Sequence, residues 1–179
     1  MIEMSAERKI LLIYTGGTIG SVQDPMTGSL VPIDFSQITR HVPELKRAGI
    51  SIDSVSFQPP IDSSNVTPMH WRKIAGVVMK KHELYDGFVV LHGTDTMSYT
   101  ASALSFMLEG LRKPVIITGS QLPIGMPRTD GRENLLSAVM LAAQPNPENS
   151  DSNRSQWGES TIQEVAVYFG NQLFRGNRT

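Results

Sequence analysis

Short, uninterrupted apolar runs recur along the chain, and three of them stop at small hydroxyl residues and glycines. Ile10–Tyr14 stops at Thr15, Gly16 and Gly17. Gly87–Leu91 stops at His92, Gly93, Thr94 and Asp95, and Pro114–Thr118 stops at Gly119, Ser120 and Gln121. A run without polar alternation reads as a strand covered on both faces. Ile52–Phe57 alternates, with Ile52, Val55 and Phe57 apolar, and is a less marked strand candidate. Val165–Phe169 is a further strand candidate.

Helical spacing fills the intervals. Thr67-Pro68 is a cap followed by proline at the first helical position, and Trp71, Ile74, Ala75 and Val78 continue the apolar stripe. Met97, Ala101, Leu104 and Leu108 mark a second helix that Gly110 ends. Asp130 to Glu133 has the form of a capping box ahead of Leu135, Leu136, Val139 and Met140. Strands alternating with helices predict an α/β fold. It is a three-layer α/β/α, Rossmann-like domain with a mostly parallel sheet. Two stretches lack periodicity. Ser21–Asp34, with Gly28 and two prolines, predicts an irregular loop over a site, and Gln144–Ser160 an exposed, mobile loop.

Composition narrows the function more than the fold. The 179 residues fit one domain spanning 1–179, and 40% hydrophobic with 18% charged residues is ordinary for a globular protein. A net charge of -1 gives no footprint for nucleic acid or an anionic membrane. With no cysteine, disulfides, thiolate metal sites and cysteine nucleophiles are excluded. The polar N-terminus and the short run after it do not make a signal peptide, and a cytoplasmic location is expected by default. His41, His70, His82 and His92 are scattered without ligand spacing, so no metal is expected. His92, beside the glycine turn, fits a structural role or a pocket wall equally well. Thr15–Gly20 lacks the spacing of a dinucleotide fingerprint, and no phosphate-loop lysine follows.

Ligands of open α/β sheets bind outside the carboxyl ends of strands. If the three glycine-rich strand ends converge, they form a pocket of hydroxyls, backbone amides and one carboxylate. A threonine hydroxyl attacks only with a base nearby and donors for the oxyanion. Thr15 at its strand end meets the positional requirement, and Thr94 with Asp95 forms a second hydroxyl–carboxylate pair. Taken singly, Thr15 reads more readily as a turn-capping residue than as a nucleophile.

The motifs Tyr14–Gly20 and His92–Met97 together resemble the two signatures of the asparaginase/glutaminase family. Asp62–Ser64, Thr118–Pro123, Arg128–Gly131 and Arg175–Thr179 resemble its type I, cytoplasmic branch. The resemblance implies an amidohydrolase that converts L-asparagine to L-aspartate and ammonia, without cofactor, through an acyl-enzyme on Thr15. It implies that Thr94 belongs to a second Thr–Lys–Asp group that delivers water or polarises the carbonyl. Asp95 then holds the α-ammonium and Ser63 the α-carboxylate, with Ser64, Gly93 and Thr94 completing the substrate-binding set. A homodimer or homotetramer is implied for the full-length protein.

Two departures stand out. Family members carry a tyrosine in the loop after the first motif, whereas Ser21–Asp34 has none and Ser29 or Leu30 falls near its place. The family's motif lysine and smaller carboxy-terminal α/β domain follow the Arg175–Thr179 motif, and this chain stops there. These residues alone are therefore expected to have little or no activity, and a non-catalytic fragment that only binds the amino acid or associates is the alternative to an enzyme. Within amide chemistry, a glutaminase or the ammonia-producing subunit of a tRNA-dependent amidotransferase are further alternatives. The amidotransferase carries an extra amino-terminal domain, for which Thr15 lies too near the first residue.

Overall fold

A computed structural model describes residues 8–24, 26–32, 42–47, 49–145 and 160–179. Its main sheet runs in the order β4 (Ile50–Ile61), β1 (Arg8–Gly16), β5 (Gly87–Leu91), β6 (Val115–Thr118), β7 (Val165–Phe169), β8 (Gln172–Arg175). Every pairing is parallel except β7 with β8. The α/β expectation therefore holds.

Alternation along the strands explains the layers. Ile10, Leu12 and Tyr14 of β1 face one side, with Val89 and Leu91 of β5 and Ile116 of β6. There they pack on Leu135, Ala138, Val139 and Ala142 of helix α4 (Gly131–Ala143), and the short helix α1 (Glu44–Arg47) adds Leu45. Leu11, Ile13, Phe88, Val90 and Ile117 face the other way. Ile74, Ala75 and Val78 of α2 (Pro68–Lys81) and Met97, Ala101 and Leu104 of α3 (Met97–Met107) cover them. Uninterrupted apolar runs are what a strand covered on both faces requires. The edge strand β4 has only Phe57 fully buried, which is why it alternates in sequence.

The capping signals divide. Thr67 caps α2 as expected, and the His70 ring returns the favour by accepting from Thr67 N–H at 3.0 Å. The capping box at Asp130 does not form. Its carboxylate instead accepts from Gln121 N–H at 2.9 Å and Leu122 N–H at 3.1 Å, and Thr129 Oγ accepts from Gly131 N–H at 3.0 Å. Asp130 thus ties the loop after β6 to the start of α4, because two nearby backbone donors outcompete its own helix.

Two features differ from the sequence reading: strands within an expected loop, and a strand that was not expected. Within Ser21–Asp34, β2 (Ser21–Gln23) and β3 (Leu30–Pro32) pair antiparallel, with Val22 opposite Val31. Asp24 closes the turn by accepting from Met26 and Thr27 N–H at 2.7 and 3.0 Å, and Gly28 supplies φ 71°. Three-residue strands are too short to show periodicity. The second is β8, which follows β7 through Gly170 and Asn171, at φ 57° and 61°. Such a pair is the signature of a tight hairpin turn. Of the expected loop Gln144–Ser160, residues 146–159 lie outside the described residues, as does His41. Among the described residues no helix is long and apolar enough to cross a membrane.

Candidate active site

The sheet order places β1 between β4 and β5. The chain leaves β1 for β4 on one side and returns past it to β5 on the other. Between β1 and β5 the connections diverge, which opens a crevice at the carboxyl ends of those strands. Thr15 ends β1 there, the Ser63–Asn65 turn follows β4, and His92 to Thr96 lead from β5 into α3. The ends of β1 and β5 therefore meet, and the β6 end joins them at Gly119, where an added Cβ would collide with the His92 carbonyl oxygen.

Glycines allow the turns to touch. At Gly16, φ 145°, an added Cβ would collide with the Ile61 carbonyl. At Gly17, φ 88°, it would stand 2.6 Å from Gly93 N. At Gly93 its place is taken by the Ser63 hydroxyl. The backbones of the two signature turns are thus in direct contact.

Side-chain bonds complete the constellation. Thr15 is 2% exposed, and its hydroxyl donates to the Leu91 carbonyl at 2.9 Å. Ser63 Oγ donates to Asp95 Oδ2 at 3.2 Å, and Thr96 Oγ1 fixes the Ser63 carbonyl at 2.7 Å. Asp95 is exposed and Thr94 half-buried. Ser64 points elsewhere: its N–H and hydroxyl both donate to Asp62 Oδ1, at 3.0 and 2.8 Å. Those bonds, the hydroxyl's foremost, hold the Asp62 carboxyl below its usual range. Ser63 and Ser64, adjacent in sequence, are thus divided between the crevice and the cap of its supporting turn.

His92 resolves to the structural alternative. It is 1% exposed, with Nδ1 2.7 Å from Gly93 O and Nε2 2.9 Å from Thr100 Oγ1. Thr100 Oγ1 also accepts from the Trp71 indole N–H at 3.0 Å. Burial lowers the pKa of the ring, against the opposing pull of the Gly93 carbonyl. In sequence Trp71 reads only as a member of a helical stripe, and Thr100 is not singled out at all. A polar atom on each apolar stripe was the available signal, since buried N–H and O–H groups need partners.

A cavity of about 370 Å³ opens beside this constellation, walled by Thr94, Ser98, Gln121, Val167, Phe169 and Phe174 among others. Thr94 is the one proposed site residue on its wall. Asn134 Nδ2 holds the Gly119 carbonyl at 2.9 Å, and Ser120 Oγ donates to Leu122 O at 2.6 Å, so the loop bearing Gln121 is braced. Lys113 lies at the opposite end of the sheet, donating to the His82 and Tyr85 carbonyls. Tyr14 is buried on the α4 face with its hydroxyl 3.4 Å from Gly20 O, and burial raises its pKa. Among the described residues, no group of three or more His, Asp or Glu is arranged for a metal ion.

Comparison with known proteins agrees with this architecture. Residues 9–179 match the family described as Asparaginase, N-terminal. The chain is 43% identical over 178 residues to L-asparaginase 1 of Escherichia coli K12, covering 97% of this chain and 47% of that protein. It is 42% identical over 195 residues to the human 60 kDa lysophospholipase, covering 96% and 31%. The crystal structure of L-asparaginase I from Vibrio cholerae superposes with a TM-score of 0.79 at 41% identity, covering 96% and 47%. The chain thus spans about half the length of these two bacterial asparaginases, and less of the lysophospholipase. It belongs to the asparaginase family, in the region of that family's amino-terminal domain.

Proposed function

We propose that the full-length protein is a type I, cytoplasmic L-asparaginase and that these residues form its amino-terminal catalytic domain. Thr15 Oγ attacks the side-chain amide carbon of asparagine. The C–N bond breaks, the nitrogen takes up a proton and leaves as ammonia, and an ester on Thr15 remains. Water then cleaves the ester, releasing aspartate and restoring the hydroxyl. Asp95 holds the α-ammonium and Ser63 the α-carboxylate, while Thr94 helps polarise the carbonyl or deliver the water. Gly93 lets the substrate backbone approach, and Ser64 supports the turn under Ser63.

One observation carries this reading: Ser63 Oγ lies 3.2 Å from Asp95 Oδ2, beside the contact between the two glycine turns. An α-ammonium and α-carboxylate share one carbon, so the anion and the hydroxyl donor that read them must be neighbours. A fixed carboxylate beside a donor fits a zwitterionic amino acid better than a neutral amide. The resemblance to the type I branch also supports a homodimer or homotetramer, with L-asparagine as ligand and no cofactor. The test is ammonia release by the full-length gene product from L-asparagine and L-glutamine. Release from asparagine is expected, and release from neither rejects the proposal. Release from glutamine alone would make the protein a glutaminase.

A further inference from the structure

We propose that Trp71, Thr100 and His92 act as a positioning network that fixes the Gly93–Thr94 peptide and thereby aims the Thr94 backbone N–H toward the substrate. The inference rests on the asparaginase reading for its chemistry and on the hydrogen-bond directions for its geometry.

The directions follow from donor inventory. An indole N–H only donates, so Thr100 Oγ1 accepts from Trp71 at 3.0 Å. Thr100 Oγ1 also lies 2.9 Å from His92 Nε2, and its own proton goes there once the ring's single hydrogen is placed on Nδ1. The Gly93 carbonyl only accepts, so His92 Nδ1, 2.7 Å away, must carry the hydrogen. One tautomer of a neutral ring satisfies all three contacts, and burial of the ring disfavours its charged form.

The consequence lies at the next residue. The Gly93–Thr94 bond is trans, the cis bond among the described residues being Gln58–Pro59. In a trans peptide the N–H points opposite to the C=O. Gly93 O points inward at the buried ring, so the Thr94 N–H points away from it, toward the crevice. Turning the peptide over would set that N–H against His92 Nδ1–H, donor against donor, where His92 is 1% exposed and Thr100 0%. Thr94 N–H meets no acceptor among the described residues. A preset, unoccupied donor is what a developing oxyanion requires, because it needs no reorganisation as charge appears. Trp71 comes from α2 and Thr100 from α3, so the two helices on one face of the sheet together set the angle of one peptide in the crevice.

Two measurements test this. In the full-length gene product, Thr100→Val keeps the side-chain shape and removes the bridging hydroxyl. Misaiming one oxyanion donor should lower kcat for asparagine about tenfold, less than the loss on deleting such a donor. KM should stay within about twofold, since the ground-state carbonyl draws little on that donor. Thr100→Ser should recover most of the loss. An unchanged kcat in Thr100→Val, or a Ser variant as impaired as Val, overturns the proposal. The second measurement is the nitrogen-15 NMR spectrum of labelled histidine at neutral pH, which reports the tautomer independently of turnover. Hydrogen on Nδ1 of His92 is expected, and hydrogen on Nε2 or on both nitrogens overturns the network. If the parent releases no ammonia yet His92 shows the Nδ1–H form, the asparaginase reading fails and the peptide-fixing geometry stands.

Discussion

Gly17→Ala should disable the crevice from the backbone outward. Gly17 has φ 88° and ψ 167°, a region reserved for glycine. A side chain there costs about 1–3 kcal/mol in backbone strain alone. The new Cβ would also lie 2.6 Å from Gly93 N, 2.7 Å from Gly93 Cα and 2.9 Å from His92 C. All three are backbone atoms, so no rotamer change relieves the overlap. Restoring an ordinary 3.4 Å contact from 2.6 Å moves the two signature turns about 0.8 Å apart. A displacement near 1 Å between reacting groups costs on the order of 100-fold in rate. Strain of about 1–3 kcal/mol lowers Tm by roughly 2–12 °C in a chain of this size. The assay pairs ammonia release from asparagine with a thermal melt. A variant within about twofold of the parent in kcat and with the parent's Tm would refute the claim that direct contact of Gly17 and Gly93 sets the site.

The other predictions concern charge, helix propensity and pH. Asp95→Asn keeps shape and removes charge, so KM for asparagine should rise steeply, while an analogue lacking the α-amino group loses less; equal losses would remove the ammonium role. Gly76→Ala lies inside α2 where an added Cβ meets nothing within 4 Å, so it should stabilise by about 0.5–1 kcal/mol, and a lowered Tm would contradict that open space. His92 has a folded pKa below its ordinary 6.5, so between the two values the unfolded chain binds a proton that the folded chain refuses. Its contribution is complete above 6.5 and is lost as pH falls toward the folded value. Thermal melts should therefore show a steeper acid loss in the parent than in His92→Leu, and equal slopes would contradict a buried neutral ring.

Much of this was legible in the chain because strand burial and glycine placement leave direct marks. The runs at Ile10, Gly87 and Pro114 are apolar because helices cover both faces of β1, β5 and β6, and the glycines behind them stand where backbones meet. What stayed hidden depended on partners distant in sequence. Asp130 reads as a helix cap, yet two amides of the loop after β6 claim its carboxylate. Trp71 reads as part of a helical stripe and Thr100 carries no mark of its own, since their bond spans 29 residues and joins two helices. Strand β8 was missed although Gly170-Asn171 announces a tight turn, because its exposed, mixed residues carry no burial pattern. Whether Ser63 or Ser64 faces the crevice is likewise decided by Asp62, which draws Ser64 away.

The central claim is that Thr15 Oγ forms the acyl-enzyme. The most direct test is mass spectrometry of the full-length protein quenched during turnover of asparagine, run beside Thr15→Ala. The account predicts an aspartyl adduct on the peptide containing Thr15 in the parent, and neither adduct nor ammonia release in Thr15→Ala. Ammonia release by Thr15→Ala at near the parent rate, or an adduct on another residue, would contradict it.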